Sequence, residues 1–340
     1  MKKNSIILGS GLVSLDVIFE YDLNSPKYFA GGTCGNVLTI TSFLGKNSYP
    51  IARLGKNKLT SLVLADIKKW GTNTDFISIS ESGSTPVIIH RVIEDKNGNP
   101  KHKFEFKDPY SGKWLPNFKP YLAKNIETIK TKIPPKIGFF FFDRANRASI
   151  ELAKICRERG SIIMFEPSSF KDEKIYHECL EIAHIVKYSN ERIKSNFENK
   201  NILLEIQTLG VEGLRFRISG GKWISSPSYN VPKVVDAAGA GDWCSAGIIN
   251  YFFENHVNII KGINENEITN AVKYGQALAA LNCMFIGARG LMYNINKNEV
   301  QNLVSSYLKM KPIAFNQNDN NMSLKNGFSI KEFSEMVFQL

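Results

Sequence analysis

Apolar and polar positions form two different patterns along this chain, and each pattern predicts a different element. Short apolar runs, such as residues 5–9 (SIILG) and 139–143 (FFFFD), are typical of strands buried on both faces. Segment 58–70 has instead the spacing of an amphipathic helix. Because strands and helices alternate, the pattern predicts an α/β protein of three layers, with a mostly parallel central sheet between helices.

The remaining segments extend this pattern. Further strands are predicted at 49–54, 75–79, 161–165, 184–188 and 202–208, and further helices at 37–44, 145–159, 172–182, 240–253, 267–287 and 296–309. Two segments fall outside the main sheet: 16–30 alternates loosely, and 84–110 contains a hairpin with its turn at Asn97-Gly98. Together these two segments predict a small separate sheet.

The densest candidate chemistry is the stretch 236–247, which reads DAAGAGDWCSAG. Its small residues open a predicted helix, where backbone N–H groups have no intrahelical partner and the helix dipole favours anions. Glycine and alanine leave those donors open to a phosphate. Asp242, in the same turn, is placed to accept a proton from a hydroxyl that attacks a phosphoryl group. The alternative is an ordinary Gly-rich loop with an aspartate as helix N-cap.

This stretch resembles the C-terminal signature of the ribokinase-like carbohydrate kinases, the phosphofructokinase-B group, whose usual form is D-T-x-G-A-G-D. One position departs, since Ala237 stands where the family has threonine. The resemblance implies that Asp242 is the catalytic base and that Gly239, Ala240 and Gly241 form an anion hole. Neither a Walker A motif nor a dinucleotide-binding GxGxxG occurs intact.

An N-terminal stretch resembles the family's second signature, GG…GN. Gly31-Gly32 and Gly35-Asn36 precede the predicted helix 37–44. The resemblance implies that Gly32 and Asn36 contact the phosphoryl acceptor and that Asp16 is the sugar-binding aspartate. It also implies that the small sheet is a lid over the acceptor, which would exclude water.

Arg144 is a candidate from position alone, because it follows directly on the predicted strand 139–143. An arginine at a strand's carboxyl end in this cleft could hold an acidic or phosphorylated group of the substrate. A structural ion pair with Asp143 or Glu166 is the alternative interpretation.

The nucleotide side resembles the family less closely. Lys187 and Ser189 fit a K-x-S variant of the usual N-x-x-E motif, whose glutamate holds magnesium-bound water. Arg192 occupies the usual Glu position, so Glu191, one residue earlier, is the candidate for the metal. Three further positions resemble the family's T-x-G-x-x-G nucleotide loop: Thr208, Gly210 and Gly213.

The predicted long helix 267–287 contains the last nucleotide candidate. Relatives pack this helix beside the adenine, and Asn282 could face the nucleotide there or be a buried or solvent-facing amide. The resemblance ends near residue 310 and implies a ribokinase-like kinase domain at 1–312. Residues 313–328 are Asn-rich and predict a linker, and 329–340 predict a C-terminal helix of unassigned role.

Composition narrows the function classes. Lys and Arg number 43 and Asp and Glu 32, a net charge of +11, but the lysines are scattered among asparagines, which argues against nucleic-acid binding. The five cysteines form no CxxC pair, as is typical of reduced thiols in a cytosolic protein. The N-terminus resembles a signal peptide, but Asp16 and Glu20 follow too soon. No uncharged apolar run could span a bilayer, so the predicted location is the cytoplasm.

The sequence therefore predicts ATP-dependent phosphotransfer to a hydroxyl of a sugar or sugar-like small molecule. The resemblance implies ATP and Mg²⁺ as cofactors, and it leaves a monovalent cation and a homodimer open; neither nucleic acid nor membrane is an expected partner. Two alternatives stay open. The acceptor could be a nucleoside or a vitamin alcohol. Because Ala237 and Arg192 depart from the family pattern, the chain could also be a catalytically silent sugar- or nucleotide-binding protein.

Overall fold

The computed structural model describes residues 6–19, 26–94, 100–169, 172–193, 202–309 and 330–338. The predicted turn at Asn97-Gly98 and the predicted linker at 313–328 lie outside these residues. Among the helices of the described part of the chain, none has the length and apolarity that a bilayer crossing requires.

Strands and helices alternate along most of the chain. The strands are β1 (Ile6–Ser10), β2 (Ser14–Phe19), β3 (Lys27–Gly31), β4 (Asn47–Gly55), β5 (Ile77–Ser80), β6 (Val87–Glu94), β7 (Pro100–Glu105), β8 (Phe139–Phe142), β9 (Ile162–Phe165), β10 (Ile185–Ser189), β11 (Leu204–Thr208), β12 (Leu214–Ile218) and β13 (Ile224–Ser226). The α-helices are α1 (Thr33–Phe43), α2 (Lys58–Lys69), α3 (Ile126–Lys130), α4 (Arg147–Glu158), α5 (Glu173–Ile182), α6 (Ala240–Glu254), α7 (Glu265–Asn282), α8 (Gly290–Asn294), α9 (Lys297–Leu308) and α10 (Ile330–Phe338).

In the described part of the chain, nine strands form the main sheet, in the order β13-β12-β11-β10-β9-β8-β1-β4-β5. The pairs from β11 through to β5 are parallel, whereas β12 is antiparallel to both of its neighbours. One hydrophobic core, under α1, α6, α7 and α9, covers one face, and a second core under α3, α4 and α5 covers the other. The predicted α/β fold with a mostly parallel central sheet is confirmed.

The apolar run of β8 shows why this sheet is buried on both sides. Side chains alternate between the faces of a strand, so Phe139 and Phe141 enter one core while Phe140 and Phe142 enter the other. All four are almost fully buried. Such a strand needs apolar residues at every position, which is the pattern that predicted it.

The remaining four strands that the structure describes form a separate sheet, in the order β3-β2-β6-β7, which we call the lid. Strand β2 is antiparallel to β3 and parallel to β6, and β6 and β7 form an antiparallel hairpin. One side of the lid packs against α2 and the C-terminal helix α10, where Phe333 is fully buried beside Tyr28. The small separate sheet is therefore present, and its other side faces the cleft described below.

Helix α1 begins earlier than predicted, at Thr33 rather than Val37. Gly32 is its N-cap and has a φ of +82°, a left-handed conformation that favours glycine. The turn into the helix is thus completed by the first glycine pair. As a result, Gly35 and Asn36 lie inside the helix, and Asn36 is projected from its first turn toward the start of α6.

Helix α7 ends earlier than predicted, at Asn282 instead of 287. The Cys283 carbonyl accepts hydrogen bonds from the backbone N–H groups of Val235 and Asp236, at 2.8 and 3.1 Å. The chain after α7 therefore runs against the glycine-rich loop, and this tertiary contact replaces the last turn of the predicted helix.

Candidate active site

A cleft of about 490 Å³ lies between the lid and the carboxyl ends of the central strands. Parallel α/β sheets bind their ligands at this edge. The residues that meet there come from the lid (Asp16, Ile88, His90, Phe104 and Phe106), from strand ends (Arg144, Glu166, Lys187, Ser189 and Thr208) and from helix starts (Gly32, Asn36, Gly239, Gly241 and Asp242).

The loop that opens α6 is held in one conformation by its surroundings. Gly239 is the helix N-cap in the left-handed conformation, with φ +73°, and a Cβ there would lie 2.1 Å from the Ala288 carbonyl oxygen. Asp236 is buried and accepts the N–H groups of Ala238 and Gly287, each at 2.7 Å. The glycine is thus required by both backbone conformation and close packing, and the aspartate ties the loop to the neighbouring chain.

The first amides of α6 are available to a ligand. Among the described residues, neither the Gly239 nor the Gly241 N–H group forms a hydrogen bond, while Ala240 donates to the Ala237 carbonyl at 3.3 Å. Gly239 and Gly241 line the cleft, whereas Ala240 does not. The predicted anion hole therefore has open donors at two of its three positions, at the electropositive end of a helix of 15 residues.

Asp242 lies in the first turn of α6 and lines the cleft although it is only 9% exposed. Asn36 donates a hydrogen bond from Nδ2 to Asp242 Oδ2 at 2.7 Å. Burial raises the pKa of Asp242 to about 7, and the charge of Glu166 adds to the rise, whereas the Asn36 hydrogen bond opposes it. A carboxylate with a pKa near neutrality, held in place by an amide, suits proton transfer.

A buried ion pair lies beneath the anion hole. Lys187 Nζ is 2.5 Å from Glu166 Oε1, and Ser245 donates to Glu166 Oε2 at 2.5 Å. A Cβ on Gly241 would be 3.6 Å from both Glu166 Oε1 and Lys187 Nζ, so the pair adjoins the open amides. Burial acts to lower the pKa of Lys187, but the charge of Glu166, its hydrogen bond and the neighbouring Cys244 and Asp242 together outweigh burial, so the pKa is raised. The ammonium therefore stays charged beside the predicted phosphate position.

The lid wall of the cleft carries a second carboxylate. Asp16 is buried and accepts a hydrogen bond from the Ser14 hydroxyl at 2.9 Å, and its Oδ2 lies 3.3 Å from His90 Nε2. The carboxylate rests against Gly31, where a Cβ would lie 2.0 Å from Asp16 Oδ2. This arrangement presents hydrogen-bonding groups to a hydroxylated molecule, and Phe104 and Phe106 add an exposed aromatic surface.

Arg144 lines the cleft and also makes the structural pair that was its alternative interpretation. Its Nη1 is 2.6 Å from Asp143 Oδ2, and the guanidinium lies 5.8 Å from the Phe118 ring centroid. Asp143 is fully buried and accepts the Leu12 N–H at 2.9 Å. Burial raises the pKa of Asp143 to about 6 although Arg144 lowers it. The remaining guanidinium nitrogens are the ones that could meet a substrate.

The predicted nucleotide residues divide into two groups. The cleft is lined by Lys187, Ser189, Glu191, Arg192 and Thr208, which stand at or just beyond the ends of β10 and β11. Gly210 and Gly213 belong to the turn after β11, have φ values of +62° and +99°, and do not line the cleft. Their structural role is to shape the turn that follows Thr208.

Asn282 does not face the cleft, because it is fully buried behind the loop that opens α6. Its Nδ2 donates to the Ala238 carbonyl at 3.0 Å, and its Oδ1 accepts the Leu291 N–H at 3.0 Å. Of the interpretations left open for this amide, the structure shows the buried one. Asn282 supports the glycine-rich loop from the side opposite the cleft.

Sequence reasoning did not single out His90, Ser245 or the support given by Asp236. A signal for His90 was present, because Ile88 and His90 are two residues apart in β6 and therefore lie on the same face of that strand. This face lies next to Asp16 because β2 pairs with β6. For Ser245 no signal existed, since its partner Glu166 is 79 residues away. Asp236 stood in the motif, but its contact with Gly287 depends on where α7 ends.

Comparisons with known proteins agree with this architecture. The sequence profile of the pfkB family carbohydrate kinases matches residues 15–292. Ketohexokinase of Mus musculus is 22% identical over 319 residues, which cover 84% of this chain and 98% of that protein.

Solved structures show the same fold at low identity. Fructokinase with bound ATP from Xylella fastidiosa has a TM-score of 0.69 and 15% identity, over 89% of this chain and 99% of that one. Aminoimidazole riboside kinase from Salmonella enterica, complexed with aminoimidazole riboside and an ATP analogue, has a TM-score of 0.66 and 18% identity, over 88% and 100%. The fold is thus that of the ribokinase-like kinases. Because the family match spans most of the chain, this protein belongs to the pfkB family and is a carbohydrate kinase.

Proposed function

We propose that this protein transfers the γ-phosphoryl group of ATP to a hydroxyl of a sugar or sugar-like molecule, with Asp242 as the general base. The observation that carries the proposal is the position of a buried carboxylate, oriented by Asn36, next to the open amides of Gly239 and Gly241. In the reaction, the acceptor oxygen forms a bond to phosphorus as the bond to ADP breaks, and the hydroxyl proton passes to Asp242. The open amides of Gly239 and Gly241 stabilise the charge on the group in transfer.

The two walls of the cleft support the placement of the two substrates. We assign the acceptor to the lid side, where Asp16, Gly32 and Asn36 meet, with Arg144 at its border. We assign ATP to the strand ends, with its phosphates near Lys187. Ser189, Thr208 and the turn containing Gly210 and Gly213 would face the rest of the nucleotide.

Magnesium would accompany ATP at the same end of the cleft. Mg²⁺ in such sites is bound through one or two carboxylates together with phosphates and water. Glu191 fits the requirement, because it is exposed and lines the cleft, and we assign it to magnesium-bound water. The bound ion would neutralise part of the phosphate charge.

The test of the proposal is turnover on a chemically chosen panel. Purified protein is incubated with Mg-ATP and hexoses, pentoses, nucleosides or vitamin alcohols, and ADP release is measured in a coupled assay. In parallel, the melting temperature is measured with each compound alone. We expect ADP release with at least one sugar. Release with nucleosides alone would assign the alternative acceptor, and stabilisation by a sugar without any ADP release would make the protein a binding protein.

The pKa of Asp242 predicts the pH dependence of the reaction. A base with a pKa of about 7 loses activity below that pH, so kcat should fall about tenfold per pH unit on the acid side. Because the Glu166 charge raises this pKa, Glu166→Gln should move the acid limb to lower pH. Ser245→Ala is the matched control, since it changes a contact of the same carboxylate without changing its charge. Equal pH profiles for Glu166→Gln and the wild type would contradict the assignment of Asp242 as the base.

A further inference from the structure

A buried polar cluster joins the edge of the lid to the body of the protein. Arg289, the N-cap of α8, has its Nη2 2.7 Å from Asp66 Oδ2 and 3.1 Å from the Tyr293 hydroxyl. Tyr293 in turn donates to Asp66 Oδ1 at 2.5 Å. All three side chains are buried, with Arg289 only 2% exposed. Because desolvation offsets most of the attraction in a buried ion pair, such a cluster is weak evidence for a purely stabilising role.

The cluster bonds to the peptide groups on both sides of a single lid residue, Ala30. Asp66 Oδ2 accepts the Ala30 N–H at 2.7 Å, and Arg289 Nη2 donates to the Ala30 carbonyl. Ala30 lies in β3, the edge strand of the lid, opposite Leu15 of β2. Leu15 donates its N–H to Pro86 on the other side, so the Ala30 groups point outward from the sheet. Two side chains thus satisfy an edge that would otherwise expose unpaired donors and acceptors.

The backbone on either side of this contact leads directly into the site. Arg289 follows Ala288, whose carbonyl oxygen accepts from Trp243 Nε1 at 3.1 Å and closes the space beside Gly239. On the lid side, Ala30 is followed by Gly31, which packs on the Asp16 carboxylate. Arg289 therefore connects two walls of the site. Its backbone continues from Ala288 beside the anion hole, and its guanidinium binds the strand that supports Asp16.

We propose that Arg289 is a positioning residue that holds the lid, and with it the acceptor contact Asp16, in register with Asp242. This inference rests on the proposed function. A hydroxyl must come within hydrogen-bonding reach of its base to transfer a proton, and a misplacement of about 1 Å can cost 10²-fold in rate. Sequence position alone does not reveal this role, because Arg289 and Asp66 are 223 residues apart.

The test separates acceptor binding from nucleotide binding. Arg289→Gln removes the charge and shortens the side chain, so we expect kcat/KM for the acceptor to fall about 10²-fold while KM for ATP stays nearly constant. Tyr293→Phe keeps the ring packed against Phe29 and Trp70 but removes the hydroxyl that contacts Asp66, and we expect a smaller loss in the same direction. This second variant keeps the test decisive if Arg289→Gln fails to fold.

Lys46→Gln is the matched control. It breaks a different ion pair, between the buried Lys46 and the exposed Glu254, at the C-terminal ends of α1 and α6, away from the lid. We expect it to lower the melting temperature without changing either KM. If Arg289→Gln and Tyr293→Phe behave like this control, the positioning role is wrong.

A readout that needs no turnover separates this inference from the proposed function. Hydrogen exchange at the Ala30 amide should be faster in Tyr293→Phe than in the wild type or in Lys46→Gln, because Asp66 loses a partner that fixes it as acceptor of that amide. Unchanged exchange at Ala30 overturns the anchor whether or not the protein proves to be a kinase. Faster exchange supports the anchor even if no acceptor on the panel is phosphorylated.

Discussion

Replacing Asp242 with asparagine is expected to lower turnover by about 10² to 10⁴, the contribution typical of general acid–base catalysis. The asparagine side chain has the same shape, and its oxygen can still accept the hydrogen bond from Asn36 that now reaches Asp242 at 2.7 Å. What it cannot do is accept a proton from the acceptor hydroxyl. Nucleotide affinity, measured by calorimetry, should stay close to that of the wild type, because the amides of Gly239 and Gly241 are unchanged.

Asp172→Asn serves as the control for this substitution. Asp172 caps α5 by accepting the Ile175 N–H at 3.1 Å, on an exposed surface, and asparagine caps helices about as well as aspartate. This variant should retain full activity and stability. If Asp242→Asn kept a rate within a few-fold of this control, Asp242 would not be the base.

Gly239→Ala is expected to lower turnover by about 10² to 10³, the loss typical when one donor to a developing negative charge is removed. Gly239 has a φ of +73°, which costs alanine about 1–2 kcal/mol. In addition, the new Cβ would stand 2.1 Å from the Ala288 carbonyl oxygen, so the loop must shift. A shifted loop turns the open amides of the anion hole away from the phosphoryl group. Initial rates and the melting temperature of the variant check both effects.

Gly220→Ala isolates the conformational part of that effect. Gly220 has the same φ of +73° in the hairpin between β12 and β13, and no atom lies within 4 Å of the place where its Cβ would stand. We expect a similar backbone strain and no loss of turnover. Equal turnover in the two alanine variants would show that the close contact with Ala288 has no part in the reaction.

Much of the fold could be predicted from the sequence because its signals are local. A run of four phenylalanines is stable only in a strand that is covered on both faces, and β8 is such a strand. The alternation of apolar and polar residues in 84–110 is also a local signal, and it predicted the hairpin of β6 and β7. The errors lie at helix ends, where α1 gains a turn and α7 loses one, because a left-handed glycine and a tertiary hydrogen bond decide those ends.

In the candidate site, too, some residues are placed by the local sequence and others only by tertiary packing. The open amides and Asp242 all belong to one turn of helix, so their placement follows from a few consecutive residues. Asn282 was ambiguous in the sequence because an amide on a helix can face a ligand, the interior or the solvent. Only the packing of α7 behind the glycine-rich loop decided that it faces the interior.

The sequence by itself determined the layered α/β fold and the glycine-rich turn at the start of α6, because both depend on patterns within a few consecutive residues. Only the tertiary structure brought Asn36 to Asp242, Glu166 to Lys187 and Arg289 to the edge of the lid. Those contacts join segments far apart in the chain, and they depend on how whole elements pack. No short stretch of residues specifies that packing alone, because it is the sum of many burial and hydrogen-bonding energies.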